Sequence, residues 1–416
     1  MKPKNQSLTP LVAKLCLGGV MMATAAGLQA QTADAGRLER LEKENTDLRK
    51  RLDSLELVAQ KEGLVSSAAK GAMPVTAMSK MSLSGFVTAS YFHDTSKPNG
   101  NVSPGYLWNC VSDSFSLNKV KVTLASPPVQ SSGDKWDAAY RASLIWGQDA
   151  PIVNSGASTV GFQNLREAYV ELNVPVGTGL NVKAGELISL LNYESGDGGA
   201  ANDNFSQGYQ WFYTGNGPAA GVQLGYTFND MFDIKARVQN GMYAGPIDNN
   251  DAKTVMVALG IKPSKSVWFS LIGFAGSESA GLSVKGASLL AGWQACEKTH
   301  FGLELDYFDF NGKGGSSGGV YSIGGWASYD FTKKVALALR AEFLSDGKGV
   351  DASKDPLGFA ANNGQDISSV ALTLNYKSVP SVKIQPEVRY DHTSFKTGFG
   401  TKADRVVLGA GVSYLF

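Results

Sequence analysis

From Lys80 to the carboxyl terminus, apolar and polar side chains exchange places at every second position, in segments separated by turn-forming residues. A period of two is that of an extended strand, whose successive side chains point to opposite faces. The most regular segment sets Trp136, Ala138, Tyr140, Ala142, Leu144 and Trp146 on one face and Asp137, Arg141 and Ser143 on the other. Its two tryptophans lie about 33 Å apart along a strand, and a tilt of about 40° reduces that to a height of about 25 Å. Such a height separates two aromatic girdles at the edges of a bilayer. The last segment behaves alike: Val406, Leu408, Ala410, Val412, Tyr414 and Phe416 share an apolar face, and the chain closes on an aromatic.

Sixteen such segments follow one another. Connections after even segments are mostly short (PVGTG, ND, PSKS, CEK, FTKK, KSVPS), and those after odd segments mostly longer. An even number of strands with alternating short and long connections predicts an all-β, antiparallel transmembrane barrel of about 16 strands, both barrel ends on one side. Alternation fixes the face of each strand except the ninth, Val267 to Phe274, whose parity is ambiguous.

The polar face carries the charge. Its bases are Lys119, Lys121, Arg141, Lys183, Lys235, Arg237, Arg340, Lys383 and Arg389, and its acids Glu167, Glu171, Asp233, Glu304, Asp306, Glu342 and Glu387. A sixteen-strand barrel is too wide for its own side chains to fill, so these residues are expected to line water or meet a plug. No separate plug domain stands in the sequence. The longest connection, Leu187 to Pro218, holds Glu194, Asp197 and Asp203 beside Tyr209, Trp211, Phe212 and Tyr213. Folded inward, it would narrow the interior and set acids across from the wall bases, a transverse field that favours polar solutes.

The first eighty residues differ. Lys2, Lys4 and Lys14 with the apolar run Leu15 to Ala26 and Leu28-Gln29-Ala30 read as an export leader over residues 1–30. Residues 31–57 read as a short α-helical coiled coil, with Leu38, Leu41, Leu48, Leu52 and Leu55 in its core positions and Asn45 in the remaining one. The flanking pairs Arg37 with Glu42, Glu44 with Arg49, and Arg51 with Glu56 favour a parallel homo-oligomer. Asn45 keeps a dimer open beside a trimer. Residues 58–79 are a linker and 80–416 the barrel.

Composition fits this division. With 43% hydrophobic and 18% charged residues the chain is neither disordered nor a helical membrane protein. Its 38 bases and 37 acids form no nucleic-acid footprint. Cys110 and Cys296 fall at opposite barrel ends, beyond disulfide reach.

Several short runs add a resemblance. REAYVEL (Arg166 to Leu172) with PVGTGL, then KAGE, NYES, DNFSQGY, QNG (Gln239 to Gly241) and DNN (Asp248 to Asn250) is similar to the OmpL-like β-barrel porin family of Gram-negative outer membranes. The resemblance implies an outer-membrane diffusion channel for ions and small hydrophilic solutes, without catalytic residues, cofactor or metal. It implies a trimer, as in general porins. The coil would then be periplasmic. Expected partners are outer-membrane lipid and lipopolysaccharide, the outer-membrane assembly machinery and the solutes, with Phe416 and Tyr414 as assembly signal.

Two rivals remain at this point. A tether would use the barrel only as an anchor and the coil to hold a periplasmic partner. A rim enzyme would need His93-Asp94 and Asp391-His392 to meet across the barrel seam, since no Ser or Cys constellation accompanies the three histidines. The DNND run Asp248 to Asp251 is oxygen-rich, yet such runs are more often turn formers than cation loops.

Overall fold

The computed structural model describes residues 40–51, 81–106, 109–153, 162–242, 247–248, 250–279, 281–312, 317–346 and 365–416. The chain divides into two units, Met1–Lys80 and Met81–Phe416. In the first, residues 40–51 form a helix (α1) that is exposed throughout, with Leu41 and Leu48 among its exposed residues and an Arg40–Glu44 pair at 3.5 Å. The leader expected over residues 1–30 and the core leucines Leu38, Leu52 and Leu55 lie outside the described residues.

The second unit is a closed antiparallel barrel of sixteen strands. They are β1 (Ser82–Asp94), β2 (Ser114–Ala125), β3 (Asp137–Trp146), β4 (Leu165–Val174), β5 (Leu180–Leu187), β6 (Ala219–Thr227), β7 (Phe232–Gln239) and β8 (Thr254–Ser264). The second half runs β9 (Val267–Ser279), β10 (Leu282–Cys296), β11 (Thr299–Gly312), β12 (Gly318–Asp330), β13 (Val335–Asp346), β14 (Gln365–Val379), β15 (Val382–Thr393) and β16 (Asp404–Leu415). Each strand pairs with its sequence neighbours, and β16 returns to β1 with Val412 opposite Ala89. The terminal Phe416 completes the seam by exchanging backbone hydrogen bonds with Gly85 at 2.9 and 3.0 Å.

The alternation read from the sequence is the alternation of the barrel. Outward residues such as Leu172, Leu372 and Tyr414 stay exposed, while their neighbours Asn173, Ala371 and Ser413 are buried. The ambiguous strand is settled: Ile272 and Phe274 of β9 are buried inward and Leu271 is exposed outward. Six register shifts among the described strands escaped the sequence, and two of them bury consecutive residues. One falls between Thr88 and Ala89 where β1 meets β2, the other between Ser143 and Leu144 where β3 meets β4. A bulge adds a residue without changing face, so Asn118 with Lys119, and Arg166 with Glu167, are buried as consecutive pairs.

The interior also departs from the expected polar lining. Inward positions of β8 to β14 carry Met256, Ile272, Phe274, Leu290, Phe308, Phe310, Val320, Leu344 and Ile367, which pack with Leu191, Phe205, Tyr209 and Tyr213 of the third long connection into one apolar cluster. A strict polar-in alternation assumes water inside. Here protein occupies part of that space.

Candidate functional site

The third long connection runs between β5 and β6 and includes a short helix, α2 (Tyr209–Tyr213). Inward carboxylates of the distant wall receive its backbone amides. Glu304 accepts from the Tyr193 N–H at 2.8 Å, Glu387 from Phe205 at 2.7 Å and Ser206 at 3.2 Å, and Glu342 from Tyr209 at 3.3 Å and Gln210 at 3.1 Å. The last two amides open α2, where unpaired N–H groups and the positive end of the dipole favour an anion. Close approach is built into the sequence at Gly208, where an added Cβ would lie 2.1 Å from Glu342, and at Gly302, where it would lie 2.2 Å from the Tyr193 ring.

Charge pairs reinforce this docking. Arg340 reaches Glu194 at 2.8 Å and Glu342 at 3.0 Å, all three side chains buried. Asp306 accepts from Gln210 Nε2 at 2.7 Å and from Thr214 Oγ1 at 2.8 Å. Towards the short-turn end, Lys383 donates to the Asn202 carbonyl at 2.6 Å and His300 meets Asp203 at 2.6 Å. Burial raises the Asp203 carboxyl, but its hydrogen bond to His300 and the charges of His300, Lys383 and Lys377 together hold it below the usual aspartate range. The Tyr193 phenol is pushed up to about 12, chiefly by burial, with Asp203 and Glu194 adding to the rise. Its ring stacks on Trp326 at 4.6 Å and Trp268 at 6.2 Å.

At the opposite end, two arginines alternate with three rings. Arg389 lies 4.4 Å from the Tyr106 ring and 4.5 Å from that of Tyr209, and Arg405 lies 4.2 Å from Tyr106 and 4.2 Å from Phe399. Asp391 binds both guanidinium groups, at 2.6 and 2.9 Å, and Asp94 binds Arg405 at 3.3 Å. Desolvated cation–π contacts of this kind contribute about 2 kcal/mol each. The stack joins the first, third and last long connections.

The bases and acids predicted to line water therefore fall into two groups. Arg340, Arg389, Lys383, Glu304, Asp306, Glu342 and Glu387 face inward but are buried against the third connection or the aromatic stack. Open lining is the wrong description for them, because protein has replaced the water that alternation alone presumes. Lys119 is likewise enclosed, 3.6 Å from Asp149. The accessible members stand on β3 to β7. Arg141 pairs with Glu167 at 2.6 Å and is 37% exposed, Lys183 meets Glu171 at 3.6 Å and is 27% exposed, and Lys235 is exposed. Arg237 is buried and donates to Gln223 and to the Ile188 carbonyl.

Between the two groups stands Asp197, which bonds both Lys121 and Arg166, the latter at 3.3 Å. Burial works to raise its carboxyl, and Arg166 and Lys121 together hold it below the usual range. Arg166 was absent from the predicted lining because the β3–β4 bulge turns it inward, a shift no local period records. The stack residues Tyr106, Phe399 and Arg405 were missed for a different reason: each is unremarkable in its own segment and gains its role only from partners elsewhere.

The histidines do not converge. His93 pairs with Asp113 at 2.6 Å and His392 with Asp404 at 2.8 Å, opposite different positions of β16, Leu408 and Asp404. In the DNND run, Asp248 takes the Asn250 amide at 3.1 Å and Lys253 at 2.6 Å, a side-chain-closed turn. Among the described residues no group of three or more His, Cys, Asp or Glu is placed to hold a metal.

A family model described as "Putative beta-barrel porin-2, OmpL-like" matches residues 80–416, the entire barrel. The chain belongs to the OmpL-like β-barrel porins. This porin-family barrel shares its fold with solved outer-membrane proteins. The trimer form of OmpT from Vibrio cholerae aligns over 81% of this chain and 99% of that one, at 12% identity and TM-score 0.53. An anion-selective porin from Comamonas acidovorans aligns over 81% and 99%, at 11% identity and TM-score 0.53. The outer-membrane channel DcaP of Acinetobacter baumannii aligns over 81% and 97%, at 13% identity and TM-score 0.52. Comparison with curated protein sequences returned no match. Membership of this family implies the outer membrane of a Gram-negative bacterium.

Proposed function

We propose that the barrel is a water-filled outer-membrane channel for passive diffusion of ions and small hydrophilic solutes, narrowed by its third long connection. The observation that carries this reading is the asymmetry of the inward face. Large apolar and ion-paired side chains of β8 to β16 are buried against the third connection, whereas charged side chains on β3 to β7 keep solvent access. A path confined to that side would be polar, with Asp197 opposing Lys121 and Arg166 at its margin. The chain acts without catalysis in this reading, since its titratable pairs hold the connection in place.

The amino-terminal helix supplies the second part of the proposal. On the family's topology both barrel ends face the periplasm, so α1 would stand there and associate in parallel through Leu41, Asn45 and Leu48. A trimer is the favoured assembly, and the similar OmpT of Vibrio cholerae is described in a trimer form. Single-channel recording of purified protein in planar bilayers tests both parts, with and without residues 31–57. Discrete open steps from both proteins, grouped less in the shortened one, support a pore with an oligomerising coil. A folded barrel that stays silent returns the tether to first place.

A further inference from the structure

One cavity on the accessible side holds a cation that the channel reading leaves unused. About 250 Å³ in volume, it is lined by Glu171, Asn181, Lys183, Gln223, Asp233 and Lys235 at the short-turn end of β4 to β7. Both of its acids are engaged. Glu171 accepts from Asn181 Nδ2 at 2.7 Å and lies 3.6 Å from Lys183, and Asp233 lies 3.7 Å from Lys262. Lys235 is exposed, and among the described residues no carboxylate pairs with it. Its cross-strand neighbours are Gly225 and Ala258, too small to cover the ammonium group.

The surroundings lean the same way. On the next inward position of β7, Arg237 is bonded to Gln223 and to a backbone carbonyl, again without a carboxylate among the described residues. Above them Lys121 and Arg166 share the one carboxylate of Asp197. Arg141 is matched by Glu167, and Asp137 receives the Gln130 amide at 2.9 Å. Bases thus outnumber acids along this wall, and a confined aqueous path concentrates their field.

We propose that this cavity is a resting site for small anions, inorganic or carboxylate, with Lys235 as its unneutralised cation, and that the channel consequently passes anions in preference to cations. The inference rests on the channel reading above. Its test is the reversal potential of the full-length protein in planar bilayers under a potassium chloride gradient. Wild type is expected to show a chloride-to-potassium permeability ratio above one, and Lys235→Glu to lower it by roughly twofold or more. Lys235→Gln should fall between the two and carries the same test should the glutamate variant fail to assemble. Lys285→Glu, at an exposed outward position of β10, should leave the ratio unchanged. A conducting wild type with a ratio at or below one, or a ratio indifferent to both Lys235 substitutions, overturns the anion site while leaving the channel intact. A silent wild type overturns the channel itself.

Discussion

The guanidinium of Arg340 on β13 donates to the carboxylate of Glu194 in the third long connection at 2.8 Å, and neither side chain is more than 4% exposed. Glu194 also accepts from the Gly208 amide at 2.8 Å and from Trp326 Nε1 at 3.2 Å. One carboxylate therefore ties two parts of the connection to two strands. Removing either partner leaves a buried charge without its counter-ion, a change that costs about 3–5 kcal/mol in comparable sites.

Arg340→Met is accordingly expected to loosen the connection more than the barrel. The strand ladders are untouched, so the variant should assemble and stay resistant to protease in its strands. Limited proteolysis should then cut between residues 187 and 218, with larger and noisier open steps in bilayers. The double variant Arg340→Met with Glu194→Leu should recover part of the loss, since Glu194 is no longer left uncompensated, while Glu342 keeps the Tyr209 and Gln210 amides. A double variant no better than the single would show that the pair does not act as a unit.

Acid should weaken the same connection through Asp197 and Asp203. Each carboxyl titrates below the ordinary aspartate value in the folded protein. A depressed folded value means that the stabilisation is complete above roughly pH 4 and is lost as pH falls through the lowered values. Open-channel noise should therefore be flat from neutrality down to about pH 4 and rise only below it. Asp197→Asn should bring that noise to neutral pH. Noise that begins near pH 6 in wild type would assign the change to histidine instead.

On the outer face the expected effects follow depth alone. Leu172 of β4 and Leu372 of β14 lie on the outward, exposed face of the barrel. Arginine at either position should destabilise the folded barrel by about 2–4 kcal/mol if it sits at the bilayer midplane, and by less near the edges. The shift from folded to unfolded mobility on heating in detergent-free bilayers reads this directly. Open-step size should be unchanged in whatever fraction folds.

The arginine–aromatic stack makes a separate prediction. Tyr106→Leu removes the ring that lies between Arg389 and Arg405 while leaving Asp391 to bind both. Two like charges would then face each other across an apolar gap. The first and last long connections should become protease-sensitive together, whereas Tyr106→Phe should keep wild-type resistance.

By itself the sequence determined a barrel of about sixteen strands, their antiparallel order, the face of nearly every residue and the closing role of the last strand; the exact count came with the closed sheet. These depend on a period of two and on turn length, which are local and repeat in every segment. Bulges were invisible because they break that period once, as at Arg166, and leave no compositional trace. The tertiary structure alone decided which inward charges meet water. Glu194 and Arg340 stand 146 positions apart, and His300 and Asp203 are separated by 97. Alternation tells a side chain which way to face, but whether solvent or another part of the chain waits there depends on contacts that form only once the barrel has closed.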